Sequence, residues 1–386
     1  TIGVAACDVD GDGMEEVYFL NTDAYSGEKV LADRLLDFDA EPYDLFEQGD
    51  NWVSLNLTAG RSVACVDRKG DGQYGIYVSN YGGSSRFYEV DGTEVEDISI
   101  RLGIDRTTGG RAVVSGHILG PRNDILAANE QGANFLYQNI DGRFLDRAVE
   151  YGVDDTMQNG RGTALADILY DGRLGIIIGN WNGYHRVYVP LRDSFLDYAT
   201  DEFREPSKVR TVISADFDND GYDEIFFNNI GQPNRMFRVR EGGLLEPVLL
   251  SAALEANGLG TGAAVADIDN DGVLDLLVAH GERAPQPLSL FRADIDSPGR
   301  YLRIAPLTDH GAPARGATVI LETNMRVHAK TIDAGSGYLC QMEPVAHYGL
   351  RTGEVIKSVS IRWTDGSKNE VTVITENTVH TIRKEG

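Results

Sequence analysis

The chain has 386 residues, 60 of them Asp or Glu and 35 Lys or Arg, which leaves a formal net charge of −25. That sign excludes a nucleic-acid binder, whose affinity rests on cations neutralising phosphates, while 42% hydrophobic content supplies a core and excludes general disorder. No apolar run approaches the ~18 residues of a spanning helix, so no transmembrane segment is expected.

The charge is unevenly made: 37 Asp and 23 Glu face 28 Arg but only 7 Lys. Metal loops consume some Asp but do not account for missing Lys. Two readings stay open: a carboxylate-rich surface kept solvated in a high-salt host, or an acidic extracellular protein from a GC-rich genome. Thr1 opens directly into strand-like sequence, without a Met and without a visible signal peptide, as in a trimmed product. Cys7, Cys65 and Cys340 are too few for a disulfide scaffold. Cys7 and Cys65 flank the same element in neighbouring repeats, so one bridge is open to them, although buried free thiols are the expectation. One glycosylation sequon occurs, Asn56-Leu57-Thr58.

Along the chain, one pattern recurs. Segments related to Cys7-Asp8-Val9-Asp10-Gly11-Asp12-Gly13 restart at Asp67, His117, Asp167, Asp216 and Asp267, with spacings of 59, 50, 50, 49 and 51 residues. Each unit reads as an alternating run, an Asp/Gly loop, an apolar run such as Glu224-Ile-Phe-Phe-Asn-Asn, and a third run with aromatics. Three to four short strands per unit, with almost no helical periodicity, predict an all-β chain built as a β-propeller. Six blade repeats of this kind are present in the chain.

Three loops carry a full set of acids. They are Asp8-x-Asp10-x-Asp12-Gly13-x-x-Glu16, Asp216-x-Asp218-x-Asp220-Gly221-x-x-Glu224 and Asp267-x-Asp269-x-Asp271-Gly272-x-x-Asp275. Carboxylates at positions 1, 3, 5 and 9 converge if the chain turns tightly. Glycine at position 6 permits the turn, and the position-7 carbonyl (Met14, Tyr222, Val273) adds another oxygen. An all-oxygen, multiply charged cage suits Ca²⁺, so about three such ions are expected. The last acid at position 9 rather than 12 distinguishes the loop from an EF-hand. The loop at Asp67 has lost positions 3 and 9 to Lys69 and Gly75, and the loop at Asp167 has lost them to Leu169 and Gly175. The His117 copy is one residue shorter and lacks acids at positions 1, 3 and 5. None of these three is expected to hold metal; Lys69 is expected to replace an ion between Asp67 and Asp71.

Six residues before the loops stand Arg61, Arg111, Arg161 and Arg210, with Thr261 in the last copy. Thirteen residues after them stand Asn21, Asn80, Asn180 and Asn229, with His280 in the last copy; Asn129 falls twelve after. Both sets belong at the end opposite the metal loops. A crown of four arginines, with Trp181, Tyr184 and His185 nearby, is the candidate partner-binding face. The alternative is structural: arginines bonded to neighbouring carbonyls and asparagines closing turns. Catalytic signatures such as His-Glu-x-x-His, Gly-x-Ser-x-Gly and a phosphate loop do not occur, and Gly258-Leu-Gly260-Thr-Gly262 opens a blade strand rather than a βαβ unit, so no enzyme is expected.

The repeat ends near Ser297-Pro298-Gly299, giving a propeller over 1–299. From 300 to 386 alternating strands predict a small β-sandwich-like domain packed on it, with turns at Gly335-Ser-Gly337 and Asp365-Gly366.

The Asp-x-Asp-x-Asp-Gly units resemble FG-GAP or VCBS repeats of integrin-α-type propellers. Arg315-Gly-Ala-Thr-Val, Gly335-Ser-Gly-Tyr-Leu-Cys340, Val345-Ala-His-Tyr-Gly-Leu350 and Ile361-Arg-Trp-Thr-Asp-Gly366 resemble the ASPIC/UnbV domain. The resemblance implies a secreted, calcium-binding, non-enzymatic protein that acts in adhesion or by binding an extracellular protein, cell-surface receptor or matrix component. A glycan-binding, lectin-like propeller is the alternative. The family pattern has a further repeat ahead of Thr1, so seven blades are expected if that repeat belongs to the protein, and six must close otherwise.

Overall fold

The computed structural model describes every residue except 39–40, 282–283, 294, 296–298, 336–337, 373 and 386. Ser297 and Pro298 of the expected boundary, and Ser336 and Gly337 of one expected turn, lie outside the described residues.

Alternating apolar runs fold as short antiparallel strands, and the Asp/Gly loops connect the first strand of each unit to the second. First strands span Gly3–Cys7, Gly60–Val66, Thr107–Gly116, Gly160–Ala166, Val209–Ala215 and Gly260–Ala266. Each pairs antiparallel with the strand after its loop, as in Cys7↔Glu16, Ala215↔Glu224 and Ala266↔Asp275. Successive units form up-and-down sheets, and the second and third units merge into one eight-stranded sheet through Tyr81↔Gly109 and Ser84↔Thr107. First strands of neighbouring units pack beside one another, the arrangement of a propeller.

The apolar core lies between units rather than within them. Tyr18, Leu35, Val63, Ile76 and Tyr88 fill the space between the first two units, and Ala164, Ile177, Val212, Ile225 and Phe227 fill the space between the fourth and fifth. A large apolar side chain contributes about 1.5–3 kcal/mol on burial, so every unit is stabilised chiefly by its neighbours. Cys7 and Cys65 sit in the first of these clusters and are bridged, with Cα atoms 6.2 Å apart. This corrects the expectation of free thiols: equivalent ends of adjacent first strands bring the two side chains face to face.

The C-terminal part is a sandwich. A three-stranded sheet orders Ala346–Leu350, Arg300–Leu307 and Val379–Arg383; a four-stranded sheet orders Val327–Thr331, Thr318–Thr323, Ile356–Arg362 and Lys368–Glu370. Leu302, Ile304, Val319, Leu321, Tyr348, Ile361 and Trp363 form its core.

The sandwich sits on the loop end of the propeller. Ala334, Gln341 and Glu343 lie along the first strands: Ala334 accepts from the Cys65 amide at 2.6 Å, Gln341 accepts from the Ala6 amide at 2.8 Å, and the Glu343 amide donates to Val265 at 3.3 Å.

Candidate functional site

Each acid loop is built around its position-1 aspartate. Asp8 accepts from the amides of Gly11 (2.6 Å) and Gly13 (3.0 Å), Asp216 from Gly221 (3.0 Å), and Asp267 from Asp271 and Gly272 (both 3.0 Å). Position 6 has φ of +96° at Gly13, +83° at Gly221 and +85° at Gly272, a backbone state open to glycine. Position 4 is also left-handed, with φ +84° at Gly11, +57° at Asn219 and +59° at Asn270. That second requirement was readable in the Gly/Asn alternation but is absent from the expectation.

The turn brings carboxylates together. Oxygens of Asp8, Asp10 and Glu16 lie within 4.8 Å of one another, as do those of Asp216, Asp218 and Glu224, and those of Asp267, Asp269 and Asp271. Nine of the expected acids therefore converge and three do not. Asp12 accepts from the Met14 amide at 2.7 Å, Asp220 from the Tyr222 amide at 2.9 Å, and Asp275 from the Ile268 amide at 3.1 Å.

Burial drives the acidities. It pushes Glu16 up to about 8 and raises Asp8 and Asp10, with mutual repulsion adding to it. It pushes Asp216 up to about 7 and Glu224 well above its usual range. Buried, clustered carboxylates of this kind need a positive charge. In the Asp216 loop Arg238 supplies one, bonding Glu224 at 2.5 Å and also Asp218. In the Asp267 loop Arg292 reaches Asp269 at 2.6 Å and Arg303 reaches Asp267 at 2.6 Å. Among the described residues, no Lys or Arg pairs with Asp8, Asp10, Asp12 or Glu16. One oxygen of Asp216, Oδ1, is buried without a hydrogen-bond partner. These acidic clusters have the all-oxygen donor set to bind a metal ion, and in the Asp8 cluster no Lys or Arg offsets the charge among the described residues.

The incomplete loops keep the turn but not the cluster. Asp67 accepts from Gly70 and Gly72, and Asp167 from Asp171 and Gly172. Lys69 does not take an ion's place: it points to Glu89 at 3.4 Å, and Asp67 is satisfied by amides and by the Thr364 hydroxyl at 2.5 Å. The turn's own N–H groups leave no lone pair that needs the ammonium.

Position 1 has a second role that sequence reasoning missed. Besides Thr364 on Asp67, the Ala329 amide donates to Asp167 and the Gly349 amide to Asp216, each at 3.0 Å, and Arg303 bonds Asp267. His117, standing at position 1, meets Thr318 Oγ1 at 2.8 Å and the Trp363 carbonyl at 3.1 Å. Five successive loops thus anchor the C-terminal sandwich through the same position. A preserved Asp in an otherwise degraded loop was the available signal.

At the opposite end the four arginines form an arc, but a buried one, exposed by 5% or less. Arg61 lies over Tyr25 (5.3 Å), Arg111 over Tyr81 (4.2 Å), and Arg161 and Arg210 flank Trp181 (4.8 and 4.6 Å). Glu130 bonds Arg111 at 2.8 Å and Arg161 at 3.0 Å. Burial alone would raise its carboxyl; the two guanidiniums hold it below the usual range. Tyr81, Glu130 and Trp181 each follow the recurring asparagine, so two stacking partners and the ion-pair partner were legible one position beyond the motif. The asparagines close turns: Asn80, Asn129, Asn180 and Asn229 each donate to the carbonyl four residues on. His185 is fully buried, accepting from the Asn180 amide at 3.0 Å and meeting Ser207 at 3.1 Å, so it does not face a partner. It fills the place that Asn134 and Asn234 take in other units, where each accepts from the turn asparagine's amide. Tyr184 and Tyr25 are exposed, at 56% and 63%. Asn56 of the sequon is fully buried and donates to Asp33 at 2.7 Å, so it presents no acceptor for a glycan.

The ASPIC and UnbV family matches residues 308–386, and the FG-GAP-like repeat family matches 216–278. Cartilage acidic protein 1 of Homo sapiens is 47% identical over 397 aligned residues, covering 95% of this chain and 60% of the human protein. Along nearly its whole length the chain is similar to cartilage acidic protein 1. The proteins of that name from Xenopus tropicalis and Mus musculus are each 46% identical, with 61% and 63% of their lengths covered, so the chain spans about three fifths of these relatives. Among solved structures, the BP39L lectin from Burkholderia pseudomallei has a TM-score of 0.47 at 12% identity, covering 96% of this chain and 99% of the lectin. The exotype rhamnogalacturonan lyase YesX has a TM-score of 0.44 at 15% identity, covering 79% of this chain and 57% of the lyase. Among the described residues no helix is long and apolar enough to cross a membrane.

Proposed function

We propose that this is a secreted, calcium-binding, non-enzymatic protein that acts in adhesion or by binding an extracellular protein, a receptor or a matrix component. On this reading the chain divides into a propeller at 1–299 and an ASPIC/UnbV-like domain at 300–386. Ca²⁺ at the Asp8, Asp216 and Asp267 loops stiffens the turns, with the Met14, Tyr222 and Val273 carbonyls completing the oxygen shell. The observation that carries the reading is the position of the sandwich: it covers the loop end, which leaves the arginine–aromatic end for a partner. Arg61, Arg111, Arg161 and Arg210 then act by holding Tyr25, Tyr81 and Trp181 in place, and Trp181 and Tyr184 make contact. The Cys7–Cys65 bridge supports an oxidising, extracellular setting, and homology to cartilage acidic protein 1 supports the same.

Labelled protein applied to cell surfaces and to matrix-coated plates tests this, with Ca²⁺ and with EDTA. Saturable, calcium-dependent binding that falls in Trp181→Ala and Tyr184→Ala is expected; binding indifferent to both substitutions contradicts the face. The aromatic ladder also supports a glycan-binding alternative, for which array hits lost in Trp181→Ala are the signature. Turnover on hydrolase or lyase substrates, lost in Arg161→Ala, would overturn the non-enzymatic reading.

A further inference from the structure

The third and fourth loops are two of the three that have lost their metal acids, and between them and the sandwich lies an open cleft of about 580 Å³. Its lining includes Arg173, Arg192, Arg362 and Lys368 and no Asp or Glu, in a molecule whose net charge is −25. Arg173 stands at position 7 of the degraded Asp167 loop. It bonds Asp171 at 2.5 Å, and Arg192 lies 3.9 Å from Asp193. Arg362 and Lys368 have no carboxylate partner among the described residues, although they are direct cross-strand partners on one sheet edge. Like charges directly opposite each other weaken a strand pair, a cost that an anion between them would reverse. Thr318 is Arg362's partner on the other side, so a hydroxyl, a guanidinium and an ammonium stand in a row across three strands. The field of this row reaches inside the protein: burial holds His117 down to about 4, and the charge of Arg362 adds to the effect.

The propeller side of the lining also includes two rings, Tyr151 and Phe195, with centroids 6.2 Å apart. The volume falls in the ~300–1,000 Å³ range of small-molecule sites. Cations on both the propeller and the sandwich side, with two aromatic residues among them, suit a ligand with anionic groups spaced along a chain and apolar C–H faces between them.

We propose that this cleft binds an acidic oligosaccharide, its sugars sulfated or uronic. The site is separate from the arginine–aromatic end and does not depend on the partner reading above. A molecule this acidic repels polyanions at long range, so binding has to come from the local cluster.

Isothermal titration of the full chain at physiological salt decides it. The probes are a heparin hexasaccharide, trigalacturonate, neutral maltohexaose, inorganic sulfate and pentaglutamate. Binding of the hexasaccharide, of trigalacturonate or of both, with none of maltohexaose, is expected; the stronger arm separates sulfated from uronic ligands. The Arg362→Gln/Lys368→Gln double variant should keep its melting temperature and bind at least about tenfold more weakly, the scale of losing charge-assisted contacts. The fully solvated Arg192→Gln should lose less, in the same direction. No binding of either acidic oligosaccharide at millimolar concentration overturns the proposal. So does affinity unchanged in the double variant, sulfate binding as tightly as the oligosaccharides, or pentaglutamate binding more tightly than both.

Discussion

Breaking the cross-link between the first two units gives a loss that can be worked out in advance. Cys7 and Cys65 are 58 residues apart in sequence, and both are buried in the cluster that joins those units. Closing a loop of that length removes unfolded-chain entropy that amounts to about 4 kcal/mol at 25 °C. Either single replacement opens the loop as completely as both, so Cys7→Ala, Cys65→Ala and the double variant should lose stability by amounts that agree within ~1 kcal/mol. Urea unfolding of the four proteins measures this. Thiol titration in denaturant supplies the chemical check: one reactive thiol, Cys340, before reduction and three after it. Three thiols without reductant, or single losses that add up in the double variant, would refute the bridge and the packing that brings the strands together.

Other outcomes follow from the same geometry. Burial holds His117 down to about 4 and His185 down to about 3, both below the unfolded value near 6.5. The unfolded chain therefore binds more protons as pH falls below about 6.5, and stability is lost from there down toward pH 4. His117→Gln should flatten the slope of urea midpoint against pH over that window, by on the order of 3 kcal/mol across it. Arg326 bonds Glu354 at 2.8 Å and also the carbonyls of Gly221 and Gly349, so Arg326→Ala strands a buried carboxylate at the sandwich–loop junction. A loss of about 3–5 kcal/mol in thermal or urea unfolding is expected. In equilibrium dialysis, Asp8→Asn and Asp216→Asn should each remove one calcium equivalent while Asp67→Asn removes none. The Asp8 loop should fill first, because no Lys or Arg competes for its carboxylates among the described residues.

Much of the fold was legible because its determinants are local. Alternating runs bounded by Asp/Gly turns specify strand, loop and strand, and the period of the unit specifies repetition. The turn of the acid loops was legible, since positive φ at position 6 brings nine of the expected carboxylates together, while Asp12, Asp220 and Asp275 stand outside those groups. What failed to show was long-range. Lys69 looked like an ion substitute only in isolation; Thr364, some three hundred residues away, takes the bond to Asp67. The bridge between Cys7 and Cys65 depends on the lateral spacing of first strands, which the period alone does not give. The arginines were placed at the correct end but read as a solvent-facing crown, because Glu130, Tyr81 and Trp181 bury them from the next strand. His185 looked like a face residue and is a turn-closing one, doing with imidazole what Asn134 and Asn234 do with an amide. The role of position 1 in holding the sandwich needed both parts of the chain in view at once.

The central claim is that the acid loops are calcium sites that hold the propeller's turns. Its most direct test is the melting temperature of metal-stripped protein with and without 1 mM Ca²⁺, at fixed ionic strength and against Mg²⁺. Ligand that binds only the folded state stabilises it by about 2.7 kcal/mol per site at a hundredfold excess over its Kd. The account predicts a rise of several degrees with Ca²⁺, a smaller one with Mg²⁺, and reversal by EDTA. A melting temperature that ignores Ca²⁺ and follows bulk salt alone would contradict it, and would leave the loops as solvated turns.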